Sequence, residues 1–391
     1  MNKRRLERLS EILEENVKSG HIAGGNVAVM YKGEEIYYAE AGYADIANGK
    51  KIRKDSIFRL YSMSKPITAA AVMLLVERGV LDMLDPIAKF IPTFEHMTVA
   101  TPNGDVAATK PVTVKDCMCM TSGLPYGTDP DISSQDVGCV FDEMYERLYS
   151  DNQMSTVEFA IKLGNCRLDF EPGTAWRYGT SADVLGAVIE VVTGMRFGDF
   201  LKKEFFEPLG MKDTGFGVPA DKLDRLTVVY EETAEGLVEY HGNHLGIINH
   251  MDKENAFQSG GAGLVSTIAD YEKFTQMLMN GGCYEGRRYL SPRTVEYLTH
   301  SRLTPQQSVN LEYWENLAGF TYGNLMRIMD DPAKAVINGS VGEYGWDGWL
   351  GPYFANIPKE DLTMLLMVQR VHTGTFDVTR KMRNVLASAI E

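Results

Sequence analysis

The stretch "YSMSKPITAAAVMLLVERG", residues 61–79, sets Ser62 and Lys65 three positions apart at the head of a long apolar run. Residues i and i+3 share one face of a helix, so the hydroxyl and the amine become neighbours if a helix begins near Ser62. Pro66 then falls in the first turn, where its missing N–H costs little, although the residue before a proline is biased away from helical angles. A serine at a buried helix N-terminus is suited to nucleophilic attack. The helix dipole favours developing negative charge there, and the serine N–H can donate to an oxyanion. A lysine kept from water can lose its proton near neutral pH and activate the hydroxyl. The same letters also describe a capping serine beside a solvated lysine, so the surroundings decide.

Outward from this segment, apolar residues cover nearly all sides of 67–78, which predicts a buried helix with Gly79 after its last turn. Upstream, Leu6, Leu9, Leu13 and Val17 recur at helical spacing, and "NVAVMYKGEEIYYAEAGYAD" reads as two strands turning at Lys32-Gly33. Residues 127–155 are polar with scattered aromatics and are expected to form a surface excursion able to act as a lid. Helical patterns dominate 156–210. Strand patterns return in "LAGFTYGNLMRI", "GWLGPYFANI" and "DLTMLLMVQRV", before a final helix from about 376. This order predicts a sheet domain made from both chain ends, 1–66 and 256–391, with a mainly helical region, 67–255, inserted between them.

The chain has 391 residues and a formal net charge of −14, which argues against nucleic acid or an anionic membrane surface as partner. Glu7, Glu11, Glu14 and Glu15 leave no room for the apolar core of a signal peptide, and no window has the length needed to span a bilayer. Cys117, Cys119, Cys139, Cys166 and Cys283 are odd in number and form no disulfide framework, so buried thiols in a reducing, cytoplasmic setting are expected. Cys117 and Cys119 lack a second pair to complete a zinc set, and the His241-x-x-His244 pair lacks a carboxylate at metal-site spacing. Both histidines are expected on a surface or loop.

"FRLYSMSKPITAAAVMLLVERGVLDMLDPIAKFIPTF" resembles the nucleophile segment of the serine hydrolases related to class C β-lactamases, which include D-alanyl-D-alanine peptidases and the family VIII carboxylesterases. The resemblance continues through "MTSGLPY" (120–126), "FEPGTAWRYGTSADVLGAVIEVVTG" (170–194), "PLGMKDTGF" (208–216), "SGGAGLVSTIADYEKFTQMLMNGG" (259–282) and "YGWDGWLGPYFANIP" (344–358). It spans nearly the whole chain in family order and is closest to the family VIII esterases. The implied fold is mixed α+β, with an antiparallel sheet flanked by helices, an inserted helical domain and the site between them.

The family's second motif supplies a tyrosine that works beside the lysine. Tyr322-Gly323-Asn324 spells Y-x-N but sits in a strand pattern, whereas Tyr178 follows the family lead-in "FEPGTAW" and precedes a helix, so Tyr178 is preferred. Thr180 stands where many members carry asparagine. For the third motif, His372-Thr373-Gly374 spells a variant but comes one strand late. Trp346-Asp347-Gly348 sits in order and resembles the W-G-G version, with Asp347 replacing the first glycine. The resemblance then implies oxyanion donors at the N–H groups of Ser62 and Trp349. Met120 stands where relatives often have histidine. Tyr126, Trp176, Tyr344 and Trp349 lie beside motif residues and are candidates to line the pocket.

An indole in place of the family's cation, with the added charge of Asp347, should disfavour anionic ligands. The expected activity is hydrolysis of small carboxylic esters with short to medium acyl chains through an acyl-enzyme on Ser62, without metal or cofactor. A homo-oligomer stays open. The rivals are a β-lactamase or D-amino-acid peptidase, an acyltransferase, and a catalytically silent ligand-binding homologue.

Overall fold

The computed structural model describes residues 1–314, 316–373 and 376–391. Its main sheet contains β1 (Gly24–Tyr31), β2 (Glu34–Asp45), β3 (Lys50–Lys51), β4 (Phe320–Gly323), β5 (Met326–Met329), β6 (Tyr344–Asp347), β7 (Tyr353–Ile357) and β8 (Leu362–Val368). The spatial order is β4-β5-β6-β7-β8-β1-β2-β3, antiparallel throughout, so β1 pairs with β8 from the far end of the chain. The β1–β2 hairpin turns at Lys32 and Gly33, with φ of 52° and 81°, the left-handed pair that a two-residue hairpin needs. The β4–β5 hairpin uses Asn324 and Leu325 in the same way, with φ of 50° and 62°. Tyr322-Gly323-Asn324 is therefore a strand end and a turn. The Asn324 amide is spent on the carbonyls of Tyr297 and Leu298.

The helices that matter for the site are α1 (Lys3–Lys18), α2 (Lys65–Glu77), α3 (Val114–Cys119), α4 (Ile132–Arg147), α5 (Thr156–Leu163), α6 (Ser181–Thr193), α7 (Ile268–Met279), α8 (Pro292–His300), α9 (Pro305–Glu312) and α10 (Asp377–Ser388). Strand alternation sorts the sheet residues between two cores. Val27, Val29, Met364 and Leu366 face one way, against Leu6, Leu9 and Leu13 of α1 and Val378, Met382 and Leu386 of α10. Ala28, Phe354, Leu365 and Met367 face the other way, into the core shared with α2, α6 and α7. Strands covered on both faces read as unbroken apolar runs, as "LTMLLMV" does. α2 is buried at every position from Lys65 to Leu75, which accounts for its lack of a polar face.

Residues 127–155 contain a regular helix, α4, capped by Asp131 and burying Val137, Val140, Phe141 and Met144. Arg177 pairs with Asp129 and Asp131, Arg167 with Asp136, and Arg147 with Glu158. Cys117, Cys119 and Cys166 are buried as expected, but Cys139 is exposed on α4, because its position falls on the solvent side of that helix. Among the described residues no helix is long and apolar enough to cross a membrane.

Candidate active site

The helix begins later than the sequence reading placed it. Phe58–Arg59 pairs with Val265–Ser266, the chain makes a tight 3-10 turn over Tyr61–Ser64, and the α-helix starts at Lys65. Lys65 is helical (φ −57°, ψ −43°) despite the proline that follows. Tyr61 carries φ of 45°, a conformation an aromatic residue adopts only when packing enforces it. Its ring is 1% exposed and lies 5.1 Å from that of Trp349 and 5.9 Å from that of His244. This turn leaves Ser62 half-buried, beside Lys65.

Lys65 is fully buried. Its Nζ lies 3.2 Å from Ser62 Oγ, 3.1 Å from the Tyr126 hydroxyl and 2.8 Å from the Gly261 carbonyl. Burial pushes the amine down to about 7, against the opposing pull of Asp183 and Asp347. A neutral amine has two hydrogens and one lone pair, so with these three partners one hydroxyl must donate to the nitrogen. Lys65 Nζ also sits 4.5 Å over the ring of Tyr178.

Tyr178 and Tyr126 arrive on separate loops, and a close approach of backbone brings them together. A Cβ at Gly179 would stand 2.0 Å from the Leu124 carbonyl oxygen, so only glycine lets the two loops meet. The two phenol rings are then 5.7 Å apart, edge to face. Burial raises the Tyr178 phenol above its ordinary value, opposed by hydrogen bonding with Ser62 and Trp346. The Trp346 indole donates to the Tyr178 hydroxyl at 2.9 Å. Tyr322, the rival tyrosine, is fully buried behind Trp176 and Trp346, and its hydroxyl has no partner among the described residues.

Gly348 packs against the backbone just ahead of the serine turn; a Cβ there would stand 2.2 Å from the Leu60 carbonyl oxygen. Next to it, the Trp349 N–H makes no hydrogen bond among the described residues. The Trp349 side chain is stacked 4.1 Å from His244, T-shaped to Tyr240, and donates through its indole to His372 at 3.3 Å. His372 and Thr373 thus lie against the loop after β6, not on a site strand, while Gly374 lies outside the described residues. His241 is well exposed and His244 lies in a loop, as expected, but His244 packs on Trp349, and burial pushes its imidazole down to about 4.

Three further expectations need correction. The Asp347 carboxylate does not stand as an added negative charge: Arg327 on β5, 2% exposed, donates to it at 2.9 Å. Tyr344 is 3% exposed with its hydroxyl bonded to Asn356, so it packs in the core between the sheet and α7 and does not line the cleft. Trp176, also 3% exposed, backs Tyr178 without reaching the cleft surface itself. The exposed aromatic beside these residues is Trp314, after α9, 39% exposed with its ring 4.6 Å from Tyr178 and 6.2 Å from Trp346. No motif flagged Trp314 or Arg327; a cation on the neighbouring strand and an indole at a helix end carry no local signature.

The sequence model of the beta-lactamase family matches residues 9–389 of this chain. The chain is 30% identical over 369 residues to Protein Rv1367c of Mycobacterium tuberculosis, covering 91% of this chain and 88% of that protein. It is 28% identical over 384 residues to Esterase EstB of Burkholderia gladioli, covering 94% and 91%. Among solved structures it is similar to EstCE1, described as a hydrolase with promiscuous acyltransferase activity, with a TM-score of 0.80, 23% identity and 98% of each chain covered. The fold is that of the penicillin-binding proteins and β-lactamases, and the chain belongs to the beta-lactamase family.

Proposed function

We propose that this protein is a serine hydrolase that cleaves neutral carboxylic esters of short to medium acyl chains through an acyl-enzyme on Ser62. The observation that carries this reading is the desolvated amine of Lys65, held 3.2 Å from Ser62 Oγ with its proton affinity brought to about 7. Lys65 is the resting base, because burial raises both phenols above their ordinary range. Ser62 Oγ bonds to the ester carbonyl carbon as its proton passes to Lys65. The N–H groups of Ser62 and Trp349 hold the oxyanion. Collapse breaks the bond to the alcohol oxygen, which leaves with the proton that Lys65 took from Ser62, beside the Tyr178 hydroxyl bonded at Ser62. Water then attacks the acyl carbon by the same route and frees Ser62.

The preference for neutral substrates rests on Trp346, whose indole N–H is engaged by Tyr178, and on Arg327, whose charge is engaged by Asp347. Neither offers a free cation to a substrate carboxylate. Mass spectrometry after fluorophosphonate treatment, with rates on p-nitrophenyl esters and nitrocefin, tests the reading. Ser62 should be labelled, and esters should turn over much faster than nitrocefin. Fast nitrocefin turnover contradicts the substrate class. Acyl transfer to an alcohol is the second reading, supported by the activity named for EstCE1. Ester formation on adding a primary alcohol, at the expense of hydrolysis, would favour it.

A further inference from the structure

Asp183 is an acid buried in the wall of the site, 2% exposed in the first turn of α6, and the acylation scheme leaves it without a task. Its Oδ1 accepts from the Ser259 hydroxyl and, at 3.1 Å, from the Gly261 N–H. Ser259 Oγ in turn accepts from the Ala262 N–H at 2.9 Å, closing a turn over 259–262. The carbonyl of Gly261 is the 2.8 Å acceptor of Lys65 Nζ. Gly261 lies so close under both groups that a Cβ there would be 3.2 Å from Asp183 Oδ2 and 3.2 Å from the Tyr126 hydroxyl. The carboxylate therefore reaches the amine through one residue, and among the described residues the two make no direct ion pair.

Two donors converging on one oxygen suit a carboxylate; burial raises the Asp183 acid above its ordinary value, and the Ser259 hydrogen bond and Lys65 oppose that and favour the anion. A neutral amide would accept the same two bonds without the cost of burying a charge. An anion here has a use only where a cation forms, and Lys65 is the cation that acts on it. We propose that Asp183 is a positioning residue for Lys65: it fixes the turn whose Gly261 carbonyl aims the amine at Ser62, and its charge balances the ammonium formed when Lys65 takes the serine proton. This rests on Lys65 being the base for Ser62. The other groups facing Lys65 are Tyr126 from the loop after α3, Tyr178 from the loop before α6, and Asp347 at the end of β6, itself bonded to Arg327.

Asp183→Asn keeps the shape and an acceptor oxygen for Ser259 and Gly261, removes the charge, and turns the second oxygen into an N–H2 group. The readout is the pH dependence of Ser62 acylation by a fluorophosphonate, beside a thermal melt. Without its counter-charge the ammonium is less stable, so the acid limb should move to lower pH by about one unit and the plateau rate should fall about ten-fold. A merely structural defect lets water reach Lys65 and moves the limb upward. A folded D183N whose limb stays in place or rises overturns the proposal. Should D183N not fold, Ser259→Ala unties the same turn: its plateau rate should fall about five-fold or more, and a rate within about two-fold of the parent overturns the proposal. A parent protein left unlabelled at Ser62 overturns the hydrolase reading, and this inference with it.

Discussion

The indole N–H of Trp346 donates to the hydroxyl of Tyr178 at 2.9 Å. The third motif of this chain thus holds the phenol of the second. Trp346→Phe keeps the packing and removes the donor. A bond of this kind to a neutral acceptor contributes on the order of 1 kcal/mol, so kcat on a p-nitrophenyl ester should fall about five- to ten-fold with little change in KM. An unchanged kcat would show that the phenol is held in place without the indole.

The two tyrosines offered by the sequence separate cleanly by substitution. Tyr178→Phe removes a hydroxyl bonded within the site and should lower kcat/KM by about a hundred-fold or more. Tyr322→Phe removes a buried hydroxyl without a partner among the described residues, so activity should stay near that of the parent and the melting temperature should hold or rise. Equal losses in the two variants would contradict the assignment.

Breaking the Arg327–Asp347 pair should be costly. Arg327→Met removes a buried guanidinium that donates to Asp347 and to the Phe354 carbonyl, and should lower stability by about 3 kcal/mol in urea unfolding. Adding Asp347→Gly in the same chain should restore most of that loss. A single Arg327→Met variant as stable as the parent would show that the pair contributes nothing.

Lys65 links stability to function. Its proton affinity is about 7 in the folded protein and near 10.5 unfolded, because burial disfavours the ammonium. Below pH 7 the folded state carries the full cost of a buried charge, and that cost disappears as pH rises from 7 to 10.5, where the unfolded chain binds the extra proton. Lys65→Met should therefore melt higher than the parent at pH 6, with the gap closing by pH 10, while losing activity. A gap that widens with pH would contradict this sign.

Much of the site was legible because its members lie inside short motifs: Ser62 and Lys65 are three residues apart, and Tyr178 and Trp346 sit in recognisable lead-ins. The strand segments at both chain ends and the buried α2 were legible from apolar rhythm, while the antiparallel sheet came from the family resemblance. The misses share a cause. Arg327 meets Asp347 only because antiparallel register brings β5 beside β6, and Asp183 meets Lys65 through a turn about eighty residues further along the chain. Trp314 follows a helix that no motif marks. The regular helix α4 hid behind its polar face, since only one side of it is buried. Tyr61–Ser64 shifted the helix start by one turn, a difference that composition does not encode.

The pH dependence of fluorophosphonate labelling at Ser62, followed by intact-mass spectrometry, tests the central claim most directly. Labelling should be confined to Ser62 and rise with pH along a single ionisation near 7, and Lys65→Met should abolish it. Labelling of another residue, or a rate at Ser62 that is flat from pH 5 to 9, would contradict a desolvated lysine as the base.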